Sequence, residues 1–341
     1  MQILIMGVGG LGGVFATELI RNGITPTLLT HNGVITQAIN MHGLTLHTPH
    51  ESDVKVRARA ITTVNEIKPG TQFDAVWLVT KANSVLEAAR GALPFLAPDG
   101  YMVAFQNGLV EEVIIDVLGS PSRLLTASVA FGGTLIEPGV YRRTTDGTVF
   151  VGELDGTVTE RVETLAAQLS HVITTKVSTN ILGLLWGKLC WNAAVSGLGA
   201  VAGYTYGEIA ATRRGRNLLI ACYTEVINTA WAHNIEVVPE VVGPTVALHL
   251  PTDADQATRD QRHQILINMT QTFAAVEPSS LQSLKRGRPT ETEFLNGYIV
   301  KKAAEKGITV PLNTRLVKMI TEIELGDRDI TPANLNDLET S

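Results

Sequence analysis

The sequence predicts an α/β protein in two parts: an N-terminal Rossmann-type domain over residues 1–177 and an all-helical C-terminal domain over residues 178–341. Three observations predict it. An apolar run, Met1 to Met6, passes directly into the glycine turn Gly7-Val8-Gly9-Gly10-Leu11-Gly12-Gly13, and a helical pattern of Val14, Phe15, Leu19 and Ile20 follows. Strand and helix patterns then alternate through the first half, the signature of a parallel sheet with helices on its faces. After residue 177 the strand patterns stop and long helical patterns take over.

A strand, a glycine turn and a helix N-terminus in that order form a cradle for a pyrophosphate. Gly7 permits the tight turn, Gly9 lets the backbone approach a phosphate, and Gly12 lets the helix pack closely on the sheet; the stretch Gly7, Val8, Gly9, Gly10, Leu11, Gly12 is the expected dinucleotide-binding turn. The second strand, residues 27–30, ends in Thr30-His31-Asn32. An acid here would bind the ribose 2′-hydroxyl of NAD, and its absence leans toward NADP, although no arginine is present either. His31 is the candidate phosphate contact, the alternative being an ordinary surface turn residue.

Residues 44–47 and 54–57 read as short strands. Residues 73–80 form a strongly apolar strand that delivers Lys81 to its C-terminal end, and residues 101–105 deliver Gln106-Asn107-Gly108 to the same edge. Ligands of open parallel sheets bind outside the carboxyl ends of the strands, which favours a functional role for Lys81 and Asn107 over plain turn-forming. Residues 124–131 add a strand, residues 140–142 and 148–151 look like antiparallel additions, residues 157–169 an amphipathic helix, and residues 172–177 an edge strand.

In the second half, residues 180–201 form one nearly continuous apolar helical pattern, and residues 207–233 read as one long helix. Later helices are expected near 260–275, 291–306 and 313–324, with a polar, loosely held tail after Gly326. A cofactor domain followed by a helical substrate domain places the expected active site in the cleft between them.

Composition excludes several classes. Of 341 residues, 45% are apolar and 18% charged, which is normal for a soluble globular protein. A net charge of −6 leaves no electrostatic footprint for nucleic acid or for an anionic membrane. No stretch of about 18 or more apolar residues stands out to span a bilayer. Cys190 and Cys222, in apolar helical surroundings, form neither a disulfide framework nor a metal spacing, so a reducing cytoplasm is the simplest compartment. The histidines show no metal-ligand spacing, and no metal site is expected.

Within the apolar helix, Lys188, Asn192 and Ser196 recur at i, i+4 and i+8, on one face. A lysine among apolar neighbours has its pKa lowered and can act as a general acid toward a carbonyl oxygen. The alternative is a snorkelling surface lysine. A second constellation runs from Pro278-Ser279-Ser280-Leu281-Gln282 to Arg288-Pro289-Thr290-Glu291 and Leu295-Asn296-Gly297. Ser279 or Ser280 suits a helix cap or a substrate carboxylate. No histidine is placed to activate either serine, which excludes a serine hydrolase.

Taken in order, the glycine turn, Val79-Thr80-Lys81-Ala82, Gln106-Asn107-Gly108, Lys188 with Asn192, the Ser279–Gly297 constellation and Gly307-Ile308-Thr309-Val310-Pro311-Leu312-Asn313-Thr314 resemble the ketopantoate reductase family over residues 1 to about 325. The resemblance implies reduction of 2-dehydropantoate to D-pantoate by NADPH, a step toward pantothenate and coenzyme A. It implies Lys188 as proton donor to the 2-oxo oxygen, Asn192 as a substrate-holding residue, and Lys81 and Asn107 near the cofactor and reacting centre. Ser279 would bind the substrate carboxylate, and Glu291 would lie at the nicotinamide end. The chain departs from the family at His31, where arginine is common, at Ser196, where a second substrate asparagine is expected, at Tyr206, near a further polar contact, and at Ser283, in place of an aspartate. Two other readings stand beside it: an NAD-dependent D-2-hydroxyacid dehydrogenase acting on another 2-oxo acid, and a non-catalytic dinucleotide sensor. The apolar length of residues 180–201 also leaves room for a homodimer.

Overall fold

Strand β1 (Ile3–Met6) is buried along its whole length in the computed structural model, which describes residues 1–49, 52–239, 243–271 and 273–338. It lies inside an eight-stranded sheet. In chain order the further strands are β2 (Thr27–Leu29), β3 (Leu44–His47), β4 (Val54–Val56), β5 (Ala60–Ile61), β6 (Phe73–Leu78), β7 (Leu96–Ala104), β8 (Leu124–Val129), β9 (Gly133–Glu137), β10 (Val140–Arg143), β11 (Val149–Glu153) and β12 (Thr175–Val177). The large sheet runs β12-β11-β8-β7-β6-β1-β2-β5, parallel except where β11 meets β8. From β1 the chain goes outward through β2 and β5, then returns to build β6, β7 and β8 on the other side. The gap between β1 and β6 is therefore the switch point at which open α/β sheets bind ligands.

Helix α1 (Gly10–Arg21) follows β1, and Phe15 packs its ring on Trp77, Phe105 and Phe131 at centroid distances of 5.0–5.9 Å. Helices α2 (Gly33–His42), α3 (Val85–Ala92), α4 (Glu111–Leu118) and α5 (Glu160–Ser170) complete the crossovers. The strands expected at residues 140–142 and 148–151 part company. β11 joins the large sheet, whereas β10 pairs with β3 and β9 in a separate four-stranded sheet, β4-β3-β10-β9. That small sheet packs on α1: a Cβ on Gly13 would lie 2.1 Å from the Tyr141 ring, and one on Gly10 would lie 2.1 Å from the Gly133 carbonyl oxygen.

The chain divides into two compact units, residues 1–106 with 110–181, and residues 107–109 with 182–341. The division falls after Ile181 rather than after residue 177. Ser178 N–H donates to the Val151 carbonyl, and Gly152 and Gly156 leave room for Ile181 and Thr179 respectively.

The second unit is all-helical: α6 (Ile181–Ala202), α7 (Tyr206–Ala211), α8 (Arg213–Ala232), α9 (Gln256–Gln271), α10 (Ser279–Lys285), α11 (Asn296–Glu305) and α12 (Pro311–Leu325). The single helix expected over 207–233 is two. Thr212 adopts an extended conformation between them, and its hydroxyl accepts from Gly215 N–H as the cap of α8. The helix expected from 291 starts only at Asn296, after a 3-10 turn (Thr292–Phe294). By length and composition α6 is apolar enough to cross a membrane, although the sequence shows no unbroken run of 18 apolar residues there. Of its most apolar 18-residue window, 83% is buried, in a core formed with α8, α11 and α12. This packing takes up most of the apolar surface of α6. The tail is not loose as far as Leu338: Leu335 and Leu338 enter the core, and Arg328 ties Glu322 to Asn334 and Asp337.

Candidate active site

The first unit supplies the glycine turn, and its three glycines have separate reasons. Gly7 has φ +100°, and a Cβ there would meet the Val79 carbonyl and Thr80 nitrogen at 2.9 Å, so the turn sits directly on the end of β6. A Cβ on Gly12 would lie 1.9 Å from the Gly7 carbonyl oxygen; its small size lets α1 close onto the turn itself. Gly9 is different. Its φ is −80°, an added Cβ would meet nothing within 4 Å, and it precedes a helix that no side chain caps and that has no acid in its first turn. An open backbone cradle before uncapped helical N–H groups fits a phosphate. Val8 is buried, and its carbonyl accepts from the Tyr141 hydroxyl at 3.1 Å. Tyr141 and Gly133, which support the turn from the small sheet, were not legible as such.

At the end of β2, Thr30 is buried and Asn32 is committed to capping α2, accepting from Val34 and Ile35 N–H at 3.0 and 3.2 Å. His31 is exposed between them. Lys81 is exposed at the end of β6. Gln106 is buried and structural: its amide donates to the Leu78 and Thr80 carbonyls at 2.9 and 3.2 Å and binds the strand ends together.

The second unit collects the remaining candidates. Asn107 belongs to it, because the next two residues dock on the turn before α11: Leu109 N–H donates to the Phe294 carbonyl, and Gly108, at φ +86°, leaves no room for a Cβ beside that oxygen. Glu291, the residue just before that 3-10 turn, is buried. On α6, Lys188 and Asn192 are half-buried and Ser196 is buried at 3% exposure. Burial lowers the Lys188 pKa from its ordinary 10.5 to about 8, and the Glu291 carboxylate works in the opposite direction. Ser279 is the first residue of α10 and makes no side-chain cap, contrary to its capping alternative. Pro278 before it seats on α6 at Gly199, where a Cβ would lie 2.5 Å from the proline ring. Tyr206 is turned into aromatic packing: it stands edge-on to Trp191 at 5.3 Å and is hydrogen-bonded by that side chain. Among the described residues no cluster of metal-ligating side chains occurs.

Fold and site define a dinucleotide-dependent oxidoreductase, with a Rossmann-type unit and a helical unit that holds a lysine of lowered proton affinity. The family "Ketopantoate reductase PanE/ApbA" matches residues 3–156, and "Ketopantoate reductase PanE/ApbA C terminal" matches residues 180–324. The chain belongs to this ketopantoate reductase family, whose members are NAD(P)-dependent oxidoreductases. It is 27% identical over 322 residues to the 2-dehydropantoate 2-reductase of Pyrococcus horikoshii, covering 94% of this chain and 96% of that one. It is 24% identical over 329 residues to the Aquifex aeolicus enzyme of the same name, covering 95% and 97%. In fold it matches a ketopantoate reductase from Ralstonia eutropha, with TM-score 0.79, 24% identity and coverage of 96% and 99%. It also matches a D-mandelate dehydrogenase solved with NADH and anilino(oxo)acetate, with TM-score 0.80, 20% identity and the same coverage.

Proposed function

We propose that this protein reduces 2-dehydropantoate to D-pantoate. The observation that carries the proposal is Lys188: an ammonium set in an apolar helix, lowered by burial to about 8 and opposed by Glu291. A general acid works best with a pKa near the working pH. When bound, the reduced nicotinamide supplies the hydride that adds to the carbonyl carbon. Lys188 Nζ gives its proton to the carbonyl oxygen as negative charge develops there, and so stabilises the forming alkoxide. Asn192, one turn along the same face, hydrogen-bonds the substrate, and Ser279 receives its carboxylate. Ser196 lies a further turn on, and Asn107 stands with Glu291 at the nicotinamide end. Gly7 to Gly12 hold the pyrophosphate.

NADPH is the preferred reductant in this proposal, with NADH possible. No acid stands at the end of β2 or in the first turn of α1 to repel a 2′-phosphate, and exposed His31 is the side chain free of a capping duty there. The substrate is a small 2-oxo acid, and a reducing compartment such as the cytoplasm suits the buried free thiols of Cys190 and Cys222.

Replacing Lys188 by alanine tests the proposal against a cofactor-binding sensor. The expected result is a fall in kcat of about 100-fold or more with NADPH affinity retained. An unchanged kcat removes Lys188 from the mechanism, and tight cofactor binding with no turnover in the unmodified protein favours the sensor.

A further inference from the structure

The motif Leu295-Asn296-Gly297 is not used by the chemistry above, yet Asn296 is among the most deeply buried polar residues of the second unit, at 1% exposure. Its contacts lead to α6. That helix has 22 residues and is apolar around nearly its whole circumference. Apolar packing is non-directional and tolerates many arrangements of similar volume, so it defines the rotation and axial position of such a helix weakly. Directional contacts to the α6 backbone supply what packing does not. Val238 N–H donates to the Gly183 carbonyl at 3.2 Å, Asn296 Nδ2 to the Ala193 carbonyl at 3.1 Å, and Asn334 Nδ2 to the Val201 carbonyl at 2.8 Å. Of these three, the middle one falls inside the segment 188–196 that carries Lys188, Asn192 and Ser196.

Asn296 is itself held. Its Nδ2 also donates to Asn313 Oδ1 at 2.9 Å, Asn313 Nδ2 donates to Glu225 Oε2 at 2.7 Å, and both Glu225 oxygens accept backbone N–H groups, from Leu312 and Asn313, at 2.9 Å. Burial raises the Glu225 pKa, and the hydrogen bonds from Leu312 and Asn313 work in the opposite direction; as a carboxylate Glu225 only accepts, and so fixes which way the Asn313 amide faces. The oxygen left to Asn313 accepts from Asn296 Nδ2 and, at 3.6 Å, from the Cys222 thiol, and Asn296 has a second hydrogen for Ala193. The order acceptor, amide, amide, carbonyl has one consistent orientation. Gly197 makes room for it: a Cβ there would lie 3.2 and 3.3 Å from the two amide atoms of Asn296 and 3.0 Å from Leu316.

We propose that Asn296, oriented by Asn313 and Glu225, is a positioning residue that fixes the register of α6 and thereby places Lys188 and Asn192 for the reaction. It touches neither substrate nor cofactor and acts through the Ala193 carbonyl. Displacing a reacting group by about 1 Å costs on the order of 100-fold in rate, so the one buried amide that holds the register within 188–196 is a catalytic matter as well as a structural one.

The inference rests on the assignment of Lys188 as proton donor, and its test separates the two. Asn296→Leu and Gly197→Ala are made in the full chain. The readouts are kcat and KM for reduction of 2-dehydropantoate, the position of the alkaline limb of the pH profile, and amide hydrogen exchange along α6. The expected result for Asn296→Leu is a fall in kcat of about tenfold or more, an unchanged KM for NADPH, a moved alkaline limb, and faster exchange confined to peptides within 188–196. Gly197→Ala deletes no polar group and presses a methyl against the Asn296 amide; it shows the same changes at smaller amplitude, and decides the matter if Asn296→Leu does not fold. Wild-type kcat, limb and segmental exchange in a folded variant, whatever its melting temperature, overturn the inference. If the unmodified chain turns over no 2-oxo acid, the assignment of Lys188 fails, and the exchange comparison still decides the register.

Discussion

Glu291 acts electrostatically on Lys188 within the helical unit and opposes the effect of burial on its proton affinity. Burial drives the lysine toward its neutral form, and the glutamate carboxylate restores part of its preference for the charged form, leaving a pKa of about 8. A lysine that donates a proton is active when charged. With Lys188 as the proton donor, reduction is expected to hold a steady rate below about pH 8 and to fall about tenfold per pH unit above it, since each unit removes that share of the protonated form. Glu291→Gln removes the interaction that raises the value, so the alkaline limb moves to lower pH. A pH profile of kcat for both proteins checks the direction, and a limb that stays in place or rises in the variant separates Glu291 from Lys188.

Gly9 offers a test of the cofactor cradle without disturbing the fold. An alanine Cβ there meets nothing within 4 Å, and φ of −80° is open to any residue. Gly9→Ala is expected to keep the stability of the free protein within about 0.5 kcal/mol while weakening NADPH binding by about tenfold or more, because the methyl occupies the space of the phosphate. Thermal melts and fluorescence titration measure the two effects. Unchanged affinity would move the phosphate away from Gly9.

His31 sets the expected cofactor choice. Asn32 is engaged as a helix cap, which leaves His31 as the exposed side chain at the end of β2. His31→Arg should raise the ratio of kcat/KM for NADPH over NADH by about tenfold, the worth of one charge-assisted hydrogen bond. His31→Asp should lower it, because a carboxylate repels the 2′-phosphate and suits a free hydroxyl. If neither substitution changes the ratio, the adenosine ribose lies elsewhere.

The C-terminal segment is part of the core. Leu338 is 1% exposed, and Asn334 holds the Val201 carbonyl at the end of α6. Leu338→Ala should destabilise the chain by about 2–5 kcal/mol, the usual cost of a buried leucine. Urea denaturation measures this, and a loss under about 0.5 kcal/mol, as for a surface residue, would show that the segment is dispensable.

Much of this was legible in the chain. β1, and β6 from Ala75 on, are apolar runs buried on both faces, and β1 meets a glycine turn that only one supersecondary unit explains. Lys188 stood out because a charged side chain in an apolar helix needs a reason. The small sheet did not stand out, since β10 chooses β3 as its partner through a long-range pairing that no local pattern announces. Nor did the break at Thr212, because Ala210, Ala211, Thr212, Arg213 and Arg214 include no glycine or proline to announce it. The tail misled because two buried leucines sit among polar residues, and counting polarity misses anchors. Asn296, Asn313 and Glu225 were visible only as separate letters; their meaning is a chain of hydrogen bonds assembled from three helices.

The central claim is that this protein reduces 2-dehydropantoate. Its most direct test is kcat/KM for a panel of 2-oxo acids, including 2-dehydropantoate, pyruvate, 2-oxoisovalerate and phenylglyoxylate, each with NADPH and with NADH. The highest value is expected for 2-dehydropantoate with NADPH. A higher value for another 2-oxo acid, above all with NADH, would contradict the claim and make the protein a D-2-hydroxyacid dehydrogenase on the same scaffold.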